Sequence, residues 1–92
     1  MWIVELSFTE TSERLAARPG HRASLTELHR QGLVRMAGPW ADDSGALIVF
    51  DVPDRATLEK ILAADPYFTT PGVTVIATRE WRPFLTAGVG AA

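Results

Sequence analysis

Cysteine is absent from the 92 residues, which removes disulfides, thiolate nucleophiles and sulfur-based zinc sites together. Long apolar runs are missing too. Stretches such as ALIVF (46–50) fall far short of the roughly 20 residues that span a bilayer. The opening MWIVELSF enters an alternating pattern at once, with no basic stretch or cleavage site before it. That argues against a secretory leader, and a cytoplasmic protein is expected. Nine basic residues are scattered among eleven acidic ones, for a net charge of −2. The concentrated positive patch of a nucleic-acid binder is therefore lacking, and neither a nucleic-acid nor a membrane partner is expected. No glycine-rich phosphate loop occurs, and Ser24 lacks the G-x-S-x-G context of a nucleophilic serine. A metal would have to rely on His and carboxylates. His21 and His29 stand two helical turns apart with no third ligand evident, so neither a metal nor another cofactor is expected.

What remains is globular composition, 47% hydrophobic and 22% charged. The length fits a single domain, placed at residues 1–85, with a flexible tail of small residues at 86–92. Trp2, Val4, Leu6 and Phe8 alternate with Ile3, Glu5 and Ser7, the period of a strand with a partly apolar second face. The polar segment Thr9 to Ala17 reads as a loop with at most one helical turn around Ser12 to Ala16. A helix is expected to begin near Pro19, which suits a first helical position, and to stop at Gly32 in the left-handed conformation. Strands are expected at Leu33 to Met36 and Ala46 to Phe50, joined by a turn within Asp42 to Gly45. A second helix carries Leu58, Ile61 and Leu62, with Pro53 or Asp54 in its first turn and Pro66 ending it. VTVIATREWRPF supplies the last strand, closed by Pro83.

The resulting order, β-α-β-β-α-β, is an α+β, ferredoxin-like arrangement with a four-stranded antiparallel sheet and both helices on one face. Right-handed crossovers bring strands one and three together. The other sheet face is mixed, with Glu5, Ser7 and Arg79 beside apolar residues. Ile3, Trp40 and Trp81 are costly to leave in water, so a homodimer packed through the open sheet face is expected.

Two ionisable residues interrupt the apolar stripes. At about 100° per residue, His21 shares its direction with Leu25, Leu28 and Gly32 and heads the buried stripe of its helix. In a first turn, the free amide groups and the helix dipole would favour the neutral imidazole. Asp65 continues Leu58, Ile61 and Leu62 by one further step. Each has two readings: His21 packs or caps, or it acts on a proton; Asp65 satisfies amides in the turn before Tyr67, or it is chemical. His29 falls on the flank of the same helix and is assigned to solvent or to the helix C-terminal charge. Asp42 and Asp43 are read as turn formers, and the tryptophans as core or interface anchors.

RPGH followed by LTELHRQGLVRMAGP, then DVPDRATLEKILAADPYF with GVTV after it, resembles the YciI-like (YCII-related) family of small dimeric α+β barrel proteins. The R-x-x-H pattern falls on Arg18 and His21, the G-x-L-x-x-A-G-P exit on Gly32 to Pro39, and the A-x-D-P-Y closure on Ala63 to Tyr67. The chain departs from the pattern at Val34 and Arg35, where a more apolar strand is usual, and in the short link between strands two and three. The resemblance implies a dimeric α+β barrel in which His21 and Asp65 form a catalytic pair. Related barrels include isomerases, dehalogenating enzymes and oxygenases acting on small, often aromatic, molecules. A cofactor-independent lyase or isomerase is therefore expected, with His21 as acid or base, Asp65 orienting it, and Arg18 and Tyr67 contacting the substrate. The competing expectation is a non-catalytic ligand-binding or assembly dimer. One obstacle stands against the pair: the two helices of this order are expected to run parallel, which sets the start of the first and the end of the second about 15 Å apart at 1.5 Å per residue.

Overall fold

The computed structural model describes residues 1–86; of the tail expected at 86–92, residues 87–92 lie outside the described residues. The element order is β1 (Trp2–Phe8), α1 (Ser12–Arg30), β2 (Val34–Pro39), β3 (Gly45–Phe50), α2 (Arg55–Ala64), a short 3-10 turn (Pro66–Thr69) and β4 (Val73–Glu80). The strands form one antiparallel sheet in the order β2-β3-β1-β4. This is the expected ferredoxin-like α+β fold, with strands one and three adjacent.

The alternation in β1 does what its period requires. Trp2, Val4 and Leu6 are buried, and with Ile48, Phe50 and Val34 they meet Leu58 of α2, Tyr67 and Phe68 in one core. Gly45 opens β3 where the chain passes the β1 backbone so closely that a Cβ would collide with the Leu6 carbonyl oxygen. The β2–β3 turn forms where it was expected. Asp42 Oδ1 accepts from the Ser44 amide and hydroxyl at 3.0 and 2.6 Å, and Asp43 adopts a φ of +60°, a conformation Asp and Asn tolerate better than most residues. β2 runs three residues past Met36, to Pro39. As an edge strand it can hold a proline without losing a ladder bond.

Gly32 closes α1 as expected, at φ +81°. Its amide donates to His29 O at 3.0 Å and that of Leu33 to Leu28 O at 2.9 Å, the paired bonds of a Schellman motif. The start of α1 corrects the sequence reading. The helix begins at Ser12, and Pro19 lies inside it. The Arg14 amide donates to Thr11 Oγ1 at 3.1 Å, so an N-cap forms eight residues before the proline. A mid-helix proline costs one backbone bond and about 3 kcal/mol. Pro19 is exposed, and the added turns carry Arg14 and Ala17 onto the sheet, which offsets that cost.

The helices also do not run parallel. β1 and β2 both pair antiparallel with β3, and β4 pairs antiparallel with β1. α1 therefore returns between two strands of one direction, and α2 between two of the opposite direction. The end of β1 meets the start of β4, where Thr9 N donates to Gly72 O at 2.9 Å. α1 departs from this end of the sheet, and α2 arrives at it.

Candidate active site

Because both helices reach that end, their polar interruptions meet. His21 Nδ1 donates to Asp65 Oδ2 at 2.6 Å, with the two side chains 7% and 12% exposed. The expected separation of about 15 Å is thus overturned by the antiparallel course of the helices and by the early start of α1, which sets His21 in mid-helix. The argument that a first-turn dipole keeps His21 neutral falls with it. What the structure offers instead is a fixed tautomer. A carboxylate can only accept, so the ring hydrogen sits on Nδ1, and a neutral ring carries its lone pair on Nε2.

Asp65 ends α2 and also caps the 3-10 turn after it. Its Oδ1 accepts from the Tyr67 amide at 3.0 Å while Oδ2 accepts from His21. One oxygen thus satisfies an amide of the turn before Tyr67, as one reading of this residue expected, and the other meets the imidazole. The backbone bond fixes the carboxylate and so the imidazole. The ring is held further by Tyr67, stacked at 4.0 Å and 12°, and by Phe68, edge-on at 5.2 Å. Tyr67 follows Pro66 directly in that turn, so one five-residue stretch, Ala64 to Phe68, supplies the carboxylate and two faces of the imidazole cage.

Between α1 and the β2–β3 hairpin lies a cleft of about 620 Å³. His21, Arg18 and Tyr67 line it, over a floor that includes Phe8, Ala46 and Ile48. Asp65 instead lines a second hollow of about 510 Å³, between α1 and α2 with Leu28, Ile61 and Phe68. The pair thus stands as a partition, with the imidazole toward the cleft and the carboxylate behind it. His21 Nε2 makes no hydrogen bond to a described residue. Of the expected site residues, His21, Asp65 and Tyr67 are in mutual contact. Arg18 shares the cleft wall, one turn before His21, without an ion pair to a described residue.

Arg14, which falls in the loop expected from the sequence and counts there only among several basic residues able to attract an anion, is 3% exposed and lines the cleft. Its Nε donates to Thr9 O at 3.2 Å, and its guanidinium lies 4.5 Å from the Phe8 ring centre. A signal was available: Arg14, Arg18 and His21 follow one another at i, i+4 and i+7, so extending the helix backward puts Arg14 on the His21 stripe. Arg22 and Arg35 also line the cleft, although Arg35 is paired with Asp51 at 3.2 Å. The carboxylate among the lining residues is Asp43, so the cleft is strongly cationic in a chain of net charge −2. His29, expected in solvent, is exposed in the last turn of α1 and borders the same cleft. Among the described residues no group of three or more His, Asp or Glu side chains is placed to hold a metal.

Comparison with known proteins supports this placement of the fold. The model of the YCII-related domain matches residues 1–85. Among solved structures, the chain is similar to 5-chloro-2-hydroxyhydroquinone dehydrochlorinase from Burkholderia phenoliruptrix, in complex with 2,5-dihydroxybenzoquinone. The likeness has a TM-score of 0.56 at 14% identity and covers 89% of this chain and 94% of that one. No curated protein matches by sequence.

Proposed function

The chain belongs to the YCII-related domain family, and from that premise we propose that it is a small-molecule enzyme in which His21 transfers a proton and Asp65 positions it. The observation that carries this reading is the 2.6 Å bond from Nδ1 to Asp65 in a ring that lines a cleft of about 620 Å³, within the range of small-molecule sites. A free base nitrogen toward a cavity, with a half-buried carboxylate behind the other ring nitrogen, is what general acid–base chemistry requires. Core packing alone would be served better by a hydrocarbon. The structural neighbour supports a lyase-type reaction on a ring compound. In such an elimination Nε2 takes the proton, the electrons of the broken bond form the new double bond, and the leaving group departs with its own pair. Asp65 stabilises the imidazolium that results, and the neutral base is restored when the proton passes to solvent.

Hydroxylated, halogenated ring compounds are the first substrates to screen, with halide release and ultraviolet absorbance as readouts. His21→Ala should lower turnover about 10²- to 10⁴-fold. Asp65→Asn retains the shape but can present an N–H to Nδ1 and reverse the tautomer. It should give a loss of similar order, with an altered pH profile. Full turnover in the His21 variant would remove the enzymatic reading and leave the binding module.

The reading includes a second copy. Register places Ile3, Leu47 and Met36 on the sheet face away from the helices, and Met36 is 64% exposed. A homodimer through this face would cover them. Leu47→Arg should turn a dimer into a monomer in light scattering; a monomeric wild-type chain would refute the pairing. No described helix is long and apolar enough to cross a membrane, which fits the cytoplasmic location we propose.

A further inference from the structure

The mechanism proposed above leaves Arg14 without a task, yet its burial is the least expected feature of the chain. Its Nη1 is fully buried and has no hydrogen-bond partner. The guanidinium is otherwise only partly engaged. Nε serves the Thr9 carbonyl, and Nη2 stands 4.0 Å from an Asp43 carboxylate that is 54% exposed, which offsets part of the charge without neutralising it. A buried donor left unmade is costly, and a buried cation without a close counter-charge is costlier. Such an arrangement persists where something else satisfies it.

We propose that Arg14 is the anion-binding residue of the cleft, seating the carboxylate or phenolate oxygen of a small organic acid whose reacting atom lies at His21. This rests on the reading of His21 as the proton-transfer group and adds the substrate's charge to it. Residues 14 and 21 lie on one helical face about 10 Å apart along the axis, and both side chains line the same cleft. The apolar floor of Phe8 and Ile48 between them suits a ring. With so much apolar wall, a charge-assisted bond to the Arg14 guanidinium is stronger than it would be in water. Arg18, half-buried between the two, adds to the attraction without being enclosed. A neutral ring compound would leave the Arg14 charge uncompensated and is selected against.

Benzoate and its neutral isostere benzamide test this by calorimetric titration of the full chain, with the His21 ring signals followed by NMR. Benzoate should bind and shift them, and benzamide should bind at least about tenfold more weakly, the loss of one charge-assisted bond. Arg14→Met should weaken benzoate by a similar factor and leave benzamide unchanged. Asp43→Asn, at a φ of +60° that Asn tolerates, removes the competing carboxylate and should tighten benzoate severalfold. Equal affinity for the two probes, or unchanged benzoate affinity in a folded Arg14→Met chain, overturns the assignment. If Arg14→Met does not fold, an unaltered affinity in Asp43→Asn overturns it instead. His21→Ala separates the two proposals: benzoate should still bind there, so the anion site survives a failure of the proton-transfer reading.

Discussion

The two helices cross the same sheet and use their inward positions in opposite ways. α2 has ten residues, and its one buried side chain is Leu58, fully enclosed in the core. α1 has nineteen, and its buried side chains are Arg14 and His21. Its leucines at 25 and 28 are only partly covered. A longer helix that commits its enclosed positions to a guanidinium and an imidazole contributes less to stability per turn than its neighbour. It gains a polar wall facing a cleft. α2 works as an anchor, and at its very end, where the apolar stripe stops, it provides the carboxylate that holds the imidazole of α1. The lesson is a division of labour between fold and site, visible in which side chains each helix buries.

Leu58→Ala should break the anchor, costing about 2–5 kcal/mol in urea denaturation, because a fully buried leucine leaves a cavity that its neighbours fill only in part. A cost below about 1 kcal/mol would show that α2 is not the stabilising helix, and the contrast would fail. Thr11→Ala addresses the other side. It removes the cap on the Arg14 amide and the hydroxyl bond to the Pro71 carbonyl at 2.6 Å, at a cost of about 1 kcal/mol. Hydrogen exchange should rise in the first turns of α1 and not in α2; a uniform rise would mean that α1 has no separate, looser beginning.

The smallest effect concerns the solvent side of α1. Glu27 accepts from Arg30 at 2.8 and 2.6 Å and from Gln31 at 3.0 Å. The Arg30 guanidinium, followed by the Gln31 amide, lowers its carboxyl from the usual 4.5 to about 2. A carboxyl lowered in the folded state contributes stability that is fully present above its unfolded value and is lost as the pH falls through the folded one. The stability difference between wild type and Arg30→Ala should therefore be constant above pH 4.5 and shrink between there and about pH 2. A difference that persists at the acid end would assign the effect of Arg30 to packing and not to this exposed pair.

Local rules read much of the fold correctly. The period of β1, the Asp42 to Gly45 turn, the Gly32 stop and the end of α2 before Pro66 all depend on residues close in sequence, and each formed as its chemistry requires. Pro19 shows where a local rule loses: a good first-turn residue sits inside a helix because a cap at Thr11 and contacts with the sheet outweigh one missing bond. The site was half legible. His21 and Asp65 stood out as polar breaks in apolar stripes, but Arg14 was hidden by the misplaced helix start.

The sequence by itself determined which segments are strands and helices, where most of them stop, and that two ionisable groups occupy positions packing would give to hydrocarbon. Only the tertiary structure decided that these groups touch and that an arginine lies buried beside them. The physical reason is direction: periodicity sets the faces of each element, whereas antiparallel strand pairing between residues far apart in the chain sets which ends meet, and the meeting of ends joins His21 to Asp65.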